Sequence, residues 1–436
     1  MSALALSAIG FAAVILLAAL RMPLAFALGI VGAVGAGYMK GWNTFLYVVG
    51  TAPFEVLNNY NLSVLPLFVL MGALAVQCGL ATDLVRAANA FMGHYRGGLA
   101  MGSVLSCAGF GAISGSNLAT LSTMGGITIP EMLKHGYSPR LAAASIAAAS
   151  TLDILIPPSI AMVIYAMMTE SSIGRMMAGG IVPGVILTFL FIFAIQLWLR
   201  YHPEIAPPAG APMPWRERIP LLKSGGGVAF VFLLMMGGMY AGVFSPTEAA
   251  GVGAAGTLVV GLIQRRFTWS GFVIAVRESV QLSAIIYLIL IGIAMFHFFM
   301  DAVGLQKEVT GYLGALNLAP PVVLGIILVA LVLLGCVMDS MAILFITTPV
   351  LFPIVVGLGY DPIWFGVVMV MVIQLGLIHP PFGLNVFILA TMNKEIDVID
   401  TFWGCVPFVV ADILMIVLVC ISPQIILWLP NLMFDK

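Results

Sequence analysis

Two pairs of adjacent prolines, Pro157-Pro158 and Pro380-Pro381, each interrupt an apolar stretch of bilayer-crossing length, and they stand 223 residues apart. A proline removes a backbone donor and breaks the helical ladder, and groups freed at mid-membrane depth meet no water. Such a break is tolerated only where it lines a cavity, binds something or is packed in protein. The same shift of 223 carries Pro130 onto Pro353, Gly136-Tyr137 onto Gly359-Tyr360 and Pro139 onto Pro362, without a gap. It also carries Ser116 onto Asp339. Shared alanines and leucines would mean little in an apolar chain, but prolines and a Gly-Tyr pair at one fixed offset mark a duplication. A period of about 20–50 residues would indicate a solenoid. One duplication spanning half the chain instead implies two-fold pseudo-symmetry.

The solvent for most of the chain is lipid. Of 436 residues, 62% are hydrophobic and 8% charged, against about 45–50% and about 25% in soluble domains. No soluble fold has enough interior for that much apolar surface. The formal net charge of −1 shows no basic excess, which argues against nucleic acid as a partner. The cysteines, Cys78, Cys107, Cys336, Cys405 and Cys420, are scattered through apolar segments without metal or redox spacing. They read as small buried hydrophobes. The apolar stretch Ala3–Leu20 has no basic region before it and a second apolar run after it, so it reads as a retained span rather than a cleaved signal.

A crossing helix needs about 20 mostly apolar residues. Full crossings are expected at 3–20, 22–39, 61–78, 176–199, 225–243, 247–264, 281–300 and 405–430, with two Pro-broken ones at 138–170 and 362–392. Regions 98–134 and 318–357 each hold two apolar runs around a polar kink, Ser114-Gly115-Ser116-Asn117 in the first and Met338-Asp339-Ser340 in the second. Both read as re-entrant helical hairpins. Ala81–Tyr95 and Arg277–Leu282 carry charge on a helical period and read as helices lying along the interface. The expected fold is therefore an all-α polytopic membrane protein of two repeats, each with a re-entrant hairpin and a Pro-broken helix. Its expected units are scaffold helices (1–60), a first repeat (61–200), a Pro-rich linker (201–223), further scaffold helices (224–280) and a second repeat (281–436).

Orientation follows from the cations. With the N-terminus outside and a change of side at each crossing, 13 of the 17 Lys and Arg residues fall inside. That satisfies the positive-inside rule, puts both termini in the periplasm and places the linker in the cytoplasm. The two hairpins then open to opposite sides, so the repeats are inverted, which suits alternating access.

The tip Ser114-Gly115-Ser116-Asn117 offers hydroxyl and amide oxygens together with freed carbonyls, the all-oxygen surroundings that a hard cation such as sodium takes. An ordinary turn would have the same composition. The N-terminus of the helix that starts near Asn117 suits an anionic substrate group. Asp153 and Asp339 sit in apolar stretches, where a charge usually serves an ion or a proton; the plainer alternative is a carboxylate that caps a half-helix or pairs locally. His379 precedes Pro380 and can contribute its ring or only its carbonyl. Gln374 and Asn385 are candidates for lining the same cavity, and Asn117, Ser340 and Asn385 for contacting substrate. Thr120, Ser122, Thr123, Thr347 and Thr348 supply hydroxyls that either face the cavity or bond back to the preceding turn. Glycine runs such as Gly97-Gly98 and Gly225–Gly227 lack a following Lys-Ser/Thr, so no P-loop is present. The methionines and phenylalanines call for no cofactor.

The run SGSNLATLSTMGGITIPEMLKHGYSP (Ser114–Pro139) followed by LIPPS (Leu155–Ser159) resembles the large membrane subunit of the tripartite ATP-independent periplasmic (TRAP) transporters. The second half agrees through GCVMDSMAILFITTPVLFP (Gly335–Pro353), GYDP (Gly359–Pro362) and GLIHPPFGLNVF (Gly376–Phe387). The resemblance implies a sodium-coupled importer of organic acids that works by an elevator movement. It also implies two partners: a periplasmic substrate-binding protein and a separate small four-helix membrane subunit. Carried over by motif, a first sodium site would use Ser114, Ser116, Asp153, Ile156 and Pro158, and a second Gly335, Asp339, Gly376, His379 and Pro381. The family often has glycine where this chain has Asp153. The nearest alternative is a stand-alone sodium- or proton-coupled carboxylate carrier with similar hairpins. An intramembrane enzyme would need paired Asp, Ser-Lys or Ser-His residues at helical spacing, which the sequence lacks, and two pinched sites suit ion coupling better than a channel.

Overall fold

The computed structural model describes residues 2–305, 308, 311, 319–336 and 338–434. Leu318 and Val337 of the expected second hairpin, and Lys307 and Lys436 of the charge count, lie outside the described residues. Among the described residues the chain is helical throughout. Four helices open it: α1 (Ala3–Ala19), α2 (Leu24–Lys40), α3 (Trp42–Leu57) and α4 (Val64–Gln77). The amphipathic α5 (Leu80–Met92) follows, and Asp83 on its buried face accepts both guanidinium arms of Arg266 at 2.7 and 3.0 Å. The first hairpin is α6 (Gly98–Ser114) with α7 (Asn117–Lys134). The Pro-broken span is α8 (Pro139–Ala149), α9 (Leu152–Leu155) and α10 (Ile160–Met168), and α11 (Ile173–Tyr201) closes the first half.

The second half opens with α12 (Trp215–Tyr240), α13 (Pro246–Ile263) and α14 (Trp269–Val303). Its hairpin is α15 (Pro320–Gly335) with α16 (Ser340–Gly357), and its broken span is α17 (Pro362–Gly376) with α18 (Leu384–Met392). The chain ends in α19 (Val398–Ile421) and α20 (Gln424–Phe434). Shifting α7 by 223 residues gives the bounds of α16, and α8 and α17 start at equivalent prolines. Each of these two starts is built alike: Ser138 accepts from Leu141 N–H, Asp361 accepts from Ile363 and Trp364 N–H, and a proline takes the first helical position, where its missing N–H does no harm. The Pro157-Pro158 and Pro380-Pro381 peptide bonds are both cis.

Among the described residues seven helices are long and apolar enough to cross a membrane, and an eighth span arises if α8–α9 and α10, bent by 40°, count as one. The core lies among the broken spans. Every residue of α8 from Leu141 to Ala149 is buried, as is every residue of α17 from Ile363 to Gly376. Around it, α14 packs on α2, α3 and α4. The α2–α14 contact is backbone against backbone: a Cβ on Gly32 would lie 2.4 Å from the Met295 carbonyl carbon, and one on Gly292 2.3 Å from the Ala25 oxygen. Small residues at such crossings are how helices pack where lipid supplies no hydrophobic drive.

Two expected elements are corrected and one unexpected helix is added. The span expected at 405–430 is two helices, divided at Ser422-Pro423, because proline has no N–H to continue the ladder. The interfacial segment at Arg277–Leu282 lies inside α14, which runs unbroken for 35 residues, about 50 Å at a rise of roughly 1.5 Å per residue. The helix α3, with Pro53 and Glu55 in its second half, was not among the expected spans. Within the linker segment, regular helix resumes at Trp215.

Candidate functional site

The first hairpin turns at Gly115, whose φ of +63° is the left-handed conformation that glycine adopts freely. A Cβ there would lie 2.7 Å from the Pro158 carbonyl oxygen, so the tip rests directly on the first proline break. The Gly115 carbonyl accepts from Ile160 N–H, at the start of α10, at 3.4 Å. Asp153, on the short α9, is fully buried and faces the backbone of Gly115 and Ser116 and the hydroxyls of Ser114 and Thr120. Thr120 donates to its Oδ2 at 2.6 Å, while Oδ1 is buried without a hydrogen-bond partner. The close approach rests on α6: a Cβ on Gly111 would stand 2.8 Å from Asp153 Cα. Ser116 precedes α7 without capping it. Ser114, Ser116, Asp153 and Pro158 therefore converge. Ile156 ends α9 and packs its side chain on Gly184 of α11.

The second tip is built differently. Gly335, at the end of α15, meets Gly376, at the end of α17: a Cβ on Gly376 would lie 2.5 Å from Gly335 Cα. Gly376 is the residue equivalent to Asp153 by the shift of 223, so one repeat has a buried carboxylate where the other has bare backbone. Beside this contact Cys336 Sγ lies 3.7 Å from His379 Nδ1 and donates to the Pro380 carbonyl at 3.4 Å. The His379 ring nitrogen approaches the same carbonyl at 2.5 Å, and the His379 carbonyl accepts from Gly383 N–H at 3.1 Å. Pro381 is exposed in the same break. Asp339 is half-buried and caps α16, its Oδ2 accepting from Met341 N–H at 3.0 Å.

Both tips border one cavity of about 190 Å³. Ser116 and Asn117 line it from the first hairpin, Asp339 and Ser340 from the second, and α14 supplies an apolar wall that includes Ile285 and Ile289. Asn117 and Asn385 are buried and bond each other, at 2.9 and 3.3 Å, across the two repeats. Asn385 also donates to the Ala147 carbonyl and the Ser150 hydroxyl of the first broken span. Thr120 faces the site, whereas Ser122 and Thr347 bond back to Leu118 and Ile343 carbonyls of their own helices, and Thr348 lies against the Met369 sulfur. Gln374 is wholly buried with neither amide atom partnered.

Sequence reading missed Cys336 at the second break and Asp412, which is buried in α19 with neither carboxylate oxygen partnered. The signal for Asp412 was present: an aspartate inside an apolar run, the rule that singled out Asp153.

Paired broken helices whose tips meet at a buried cavity, inside a lipid-solvated helical bundle, define a polytopic membrane transporter. The family model for the tripartite ATP-independent periplasmic transporter, DctM component, matches residues 11–425. The chain belongs to that family of large permeases, whose members are transporters and not enzymes. A C4-dicarboxylate TRAP transporter large permease protein DctM of Pseudomonas aeruginosa is 34% identical over 379 residues, covering 87% of this chain and 88% of that one. An ectoine/5-hydroxyectoine TRAP transporter large permease protein, UehC, of Ruegeria pomeroyi is 31% identical, covering 86% and 87%. Among solved structures, the Alcanivorax borkumensis YdaH transporter shares the fold, with a TM-score of 0.67 at 14% identity, over 92% of this chain and 98% of that one.

Proposed function

We propose that the chain is the large permease of a tripartite uptake system in a bacterial inner membrane, importing an organic acid against its gradient by sodium symport. A periplasmic binding protein delivers the solute, and a separate small membrane subunit braces the scaffold. The observation that carries the sodium reading is Asp153: a fully buried carboxylate with Oδ1 unpartnered, set against the backbone N–H groups of Gly115 and Ser116 and the hydroxyls of Ser114 and Thr120. A carboxylate buried without a countercharge is unfavourable by several kcal/mol, roughly, and a sodium ion among these oxygens offsets it. The donor set suits a hard cation: Ser114, Ser116 and Asp153 side chains with the Ile156 and Pro158 carbonyls. The second site draws on carbonyls and side chains of Gly335, Asp339, Gly376, His379 and Pro381.

In this reading the repeats, 61–200 and 281–436, carry the sites as an elevator that slides on the scaffold helices. Sodium at the tips fixes the two hairpins in the geometry that holds the solute, which couples the two gradients. The test is uptake into proteoliposomes. Transport is expected with the small subunit, the loaded binding protein and an inward sodium gradient all present, and not from this chain alone. Robust uptake of free solute by the isolated chain would instead establish a stand-alone sodium- or proton-coupled carrier.

A further inference from the structure

Arg218 is a cation turned inward. It stands in the first turn of α12, a helix of membrane-crossing length, on the buried face that continues through Gly225 and Val228. That face packs on α5: a Cβ on Gly225 would lie 3.0 Å from the Ala87 methyl carbon. Nearer the start of α12, the Arg218 guanidinium lies over the ring of Phe91 of α5 at 5.6 Å and over that of Trp215 at 5.2 Å. The residue is only 8% exposed, and its Nε is buried without a hydrogen-bond partner. Among the described residues no carboxylate pairs with it. Asp83, the acid on α5, is taken by both arms of Arg266, and Glu217 is exposed. A snorkelling arginine would reach out to water, which Arg218 does not, and the ring faces offset only part of the cost of burying its charge. The dipole of α12 also opposes a cation in its first turn and favours an anion there.

Beside this cation an apolar groove of about 230 Å³ runs between α5, α6 and α12. Leu84, Phe91, Leu105, Leu222, Gly226 and Ala229 line it, so the ring of Phe91 belongs both to the seat of Arg218 and to the groove. The hydroxyl in its wall, that of Ser106, already donates to the Gly102 and Leu84 carbonyls at 2.6 and 3.3 Å. The groove therefore asks for an apolar occupant. Leu222 and Ala229 lie roughly 6 and roughly 17 Å beyond Arg218 along α12, at a rise of about 1.5 Å per residue. A buried cation at the end of a crossing helix, with an apolar groove leading inward from it, matches the two ends of a phospholipid.

We propose that Arg218 and this groove form a binding site for an anionic phospholipid, with the phosphate on the guanidinium and an acyl chain between α5, α6 and α12. The guanidinium fork holds a phosphate by two parallel charge-assisted hydrogen bonds, and basic pockets between membrane helices take such headgroups. A free phosphate uses the cation but not the groove. A phosphatidylcholine fills the groove but brings its own countercharge. The site shares no lining residue with the cavity between the tips. It reaches the tips by another route: the acyl chain packs on α6, whose far end is the first tip, and so ties that hairpin to α12.

The test is the unfolding midpoint of the purified full chain in a neutral detergent, titrated separately with dioleoylphosphatidylglycerol, dioleoylphosphatidylcholine and inorganic phosphate. Phosphatidylglycerol is expected to raise the midpoint saturably, at a half-saturating concentration at least tenfold below that of phosphatidylcholine. Inorganic phosphate over the same range is expected to raise it not at all. Arg218→Gln is expected to raise the half-saturating phosphatidylglycerol concentration at least tenfold. Arg216→Gln, which removes an exposed cation from the same turn, is expected to leave it unchanged. Gly226→Leu puts a side chain into the groove, where a Cβ meets nothing within 4 Å, and is expected to weaken phosphatidylglycerol comparably with Arg218 intact. That second variant decides the matter if Arg218→Gln does not fold. Equal responses to the two lipids overturn the proposal in favour of general solvation by lipid, and a phosphate response equal to that of phosphatidylglycerol overturns it in favour of a free anion. A phosphatidylglycerol curve unchanged by Arg218→Gln or by Gly226→Leu overturns it outright.

Discussion

At the scale of single residues, the two repeats spend polar groups unequally. Asp153 and Gly376 are equivalent by sequence shift, yet one is a buried carboxylate and the other lies flat against Gly335. If Asp153 holds sodium, Asp153→Ala raises the sodium concentration for half-maximal uptake at least tenfold, since about 1.4 kcal/mol of lost interaction is a factor of ten. Ser116→Ala, which removes one neutral oxygen, shifts the same curve less. Sodium curves unchanged in both variants would leave this tip as structure and move the ion elsewhere. Asn385 tests a different role. Its amide is saturated by Asn117, Ala147 and Ser150, so it ties the second broken span to the first hairpin rather than reaching for solute. Asn385→Leu leaves the Asn117 amide buried and unpaired, and is expected to destabilise the chain by about 1–3 kcal/mol, read as a lowered unfolding midpoint. Such pairing was not legible in the sequence. Asn117 and Asn385 stand far apart in the chain and read equally well as cavity-lining groups; only folding shows that they meet. Asp153 and Asp339 were legible because a charge inside an apolar run is rare, whereas the cap made by Asp339 depends on where α16 begins.

At the scale of elements, what was legible followed from backbone chemistry. Prolines, polar kinks and apolar length located both hairpins and both broken spans, since each feature acts on the ladder of its own segment. Errors arose where a segment's fate depends on its neighbours. Arg277 and Glu278 suggested a surface helix ending before the membrane, but a helix can extend past the bilayer without a break, and α14 does so while packed on α2, α3 and α4. The low apolar density of α3, with Pro53 and Glu55, hid a helix that packing on α2 and α14 sustains. The contact of α15 with α17 offers a clean test of element packing. Gly376→Ala puts a methyl group 2.5 Å from Gly335 Cα, where backbone, not a flexible side chain, must move. The expected loss is about 1–3 kcal/mol or more. Gly126→Ala on α7, which meets nothing within 4 Å, is expected to keep or slightly raise the unfolding midpoint, since alanine is the better helix former by about 0.5–1 kcal/mol. Equal midpoints for the two variants would mean that α15 and α17 separate freely.

At the scale of the molecule, contacts between distant segments sort the connections onto two faces, and charge decides which face is which. The α7–α8 turn, the start of α6 and the linker belong together: Ser138 N–H donates to the Ile205 carbonyl at 2.9 Å, and the Tyr137 hydroxyl accepts from Leu99 N–H at 3.1 Å. The α10–α11 connection and the C-terminal helix belong together on the other face, because Arg175 donates to the Asn431 side chain at 2.8 Å and Phe434 packs on Gly174. Dividing the expected span at Pro423 does not disturb this. The 24 residues of α19 suffice to cross, and α20 then lies along the first half of α11. The face that holds the linker also holds Lys134, Arg140, Arg200 and Arg216, so we propose, by the positive-inside rule, that this face is cytoplasmic and the C-terminus periplasmic. Labelling with an impermeant maleimide checks both assignments. Gly210→Cys lies in the exposed linker and is expected to react in inside-out vesicles but not in intact spheroplasts. A cysteine appended after Lys436 is expected to do the reverse. The native cysteines interfere little, since Cys78, Cys107, Cys336 and Cys405 are buried and Cys420 is half-buried. A C-terminal cysteine labelled from the same side as Gly210→Cys would contradict the odd number of crossings expected between the linker and the C-terminus. The two hairpins would then open to one side, and the inverted arrangement on which alternating access rests would be lost.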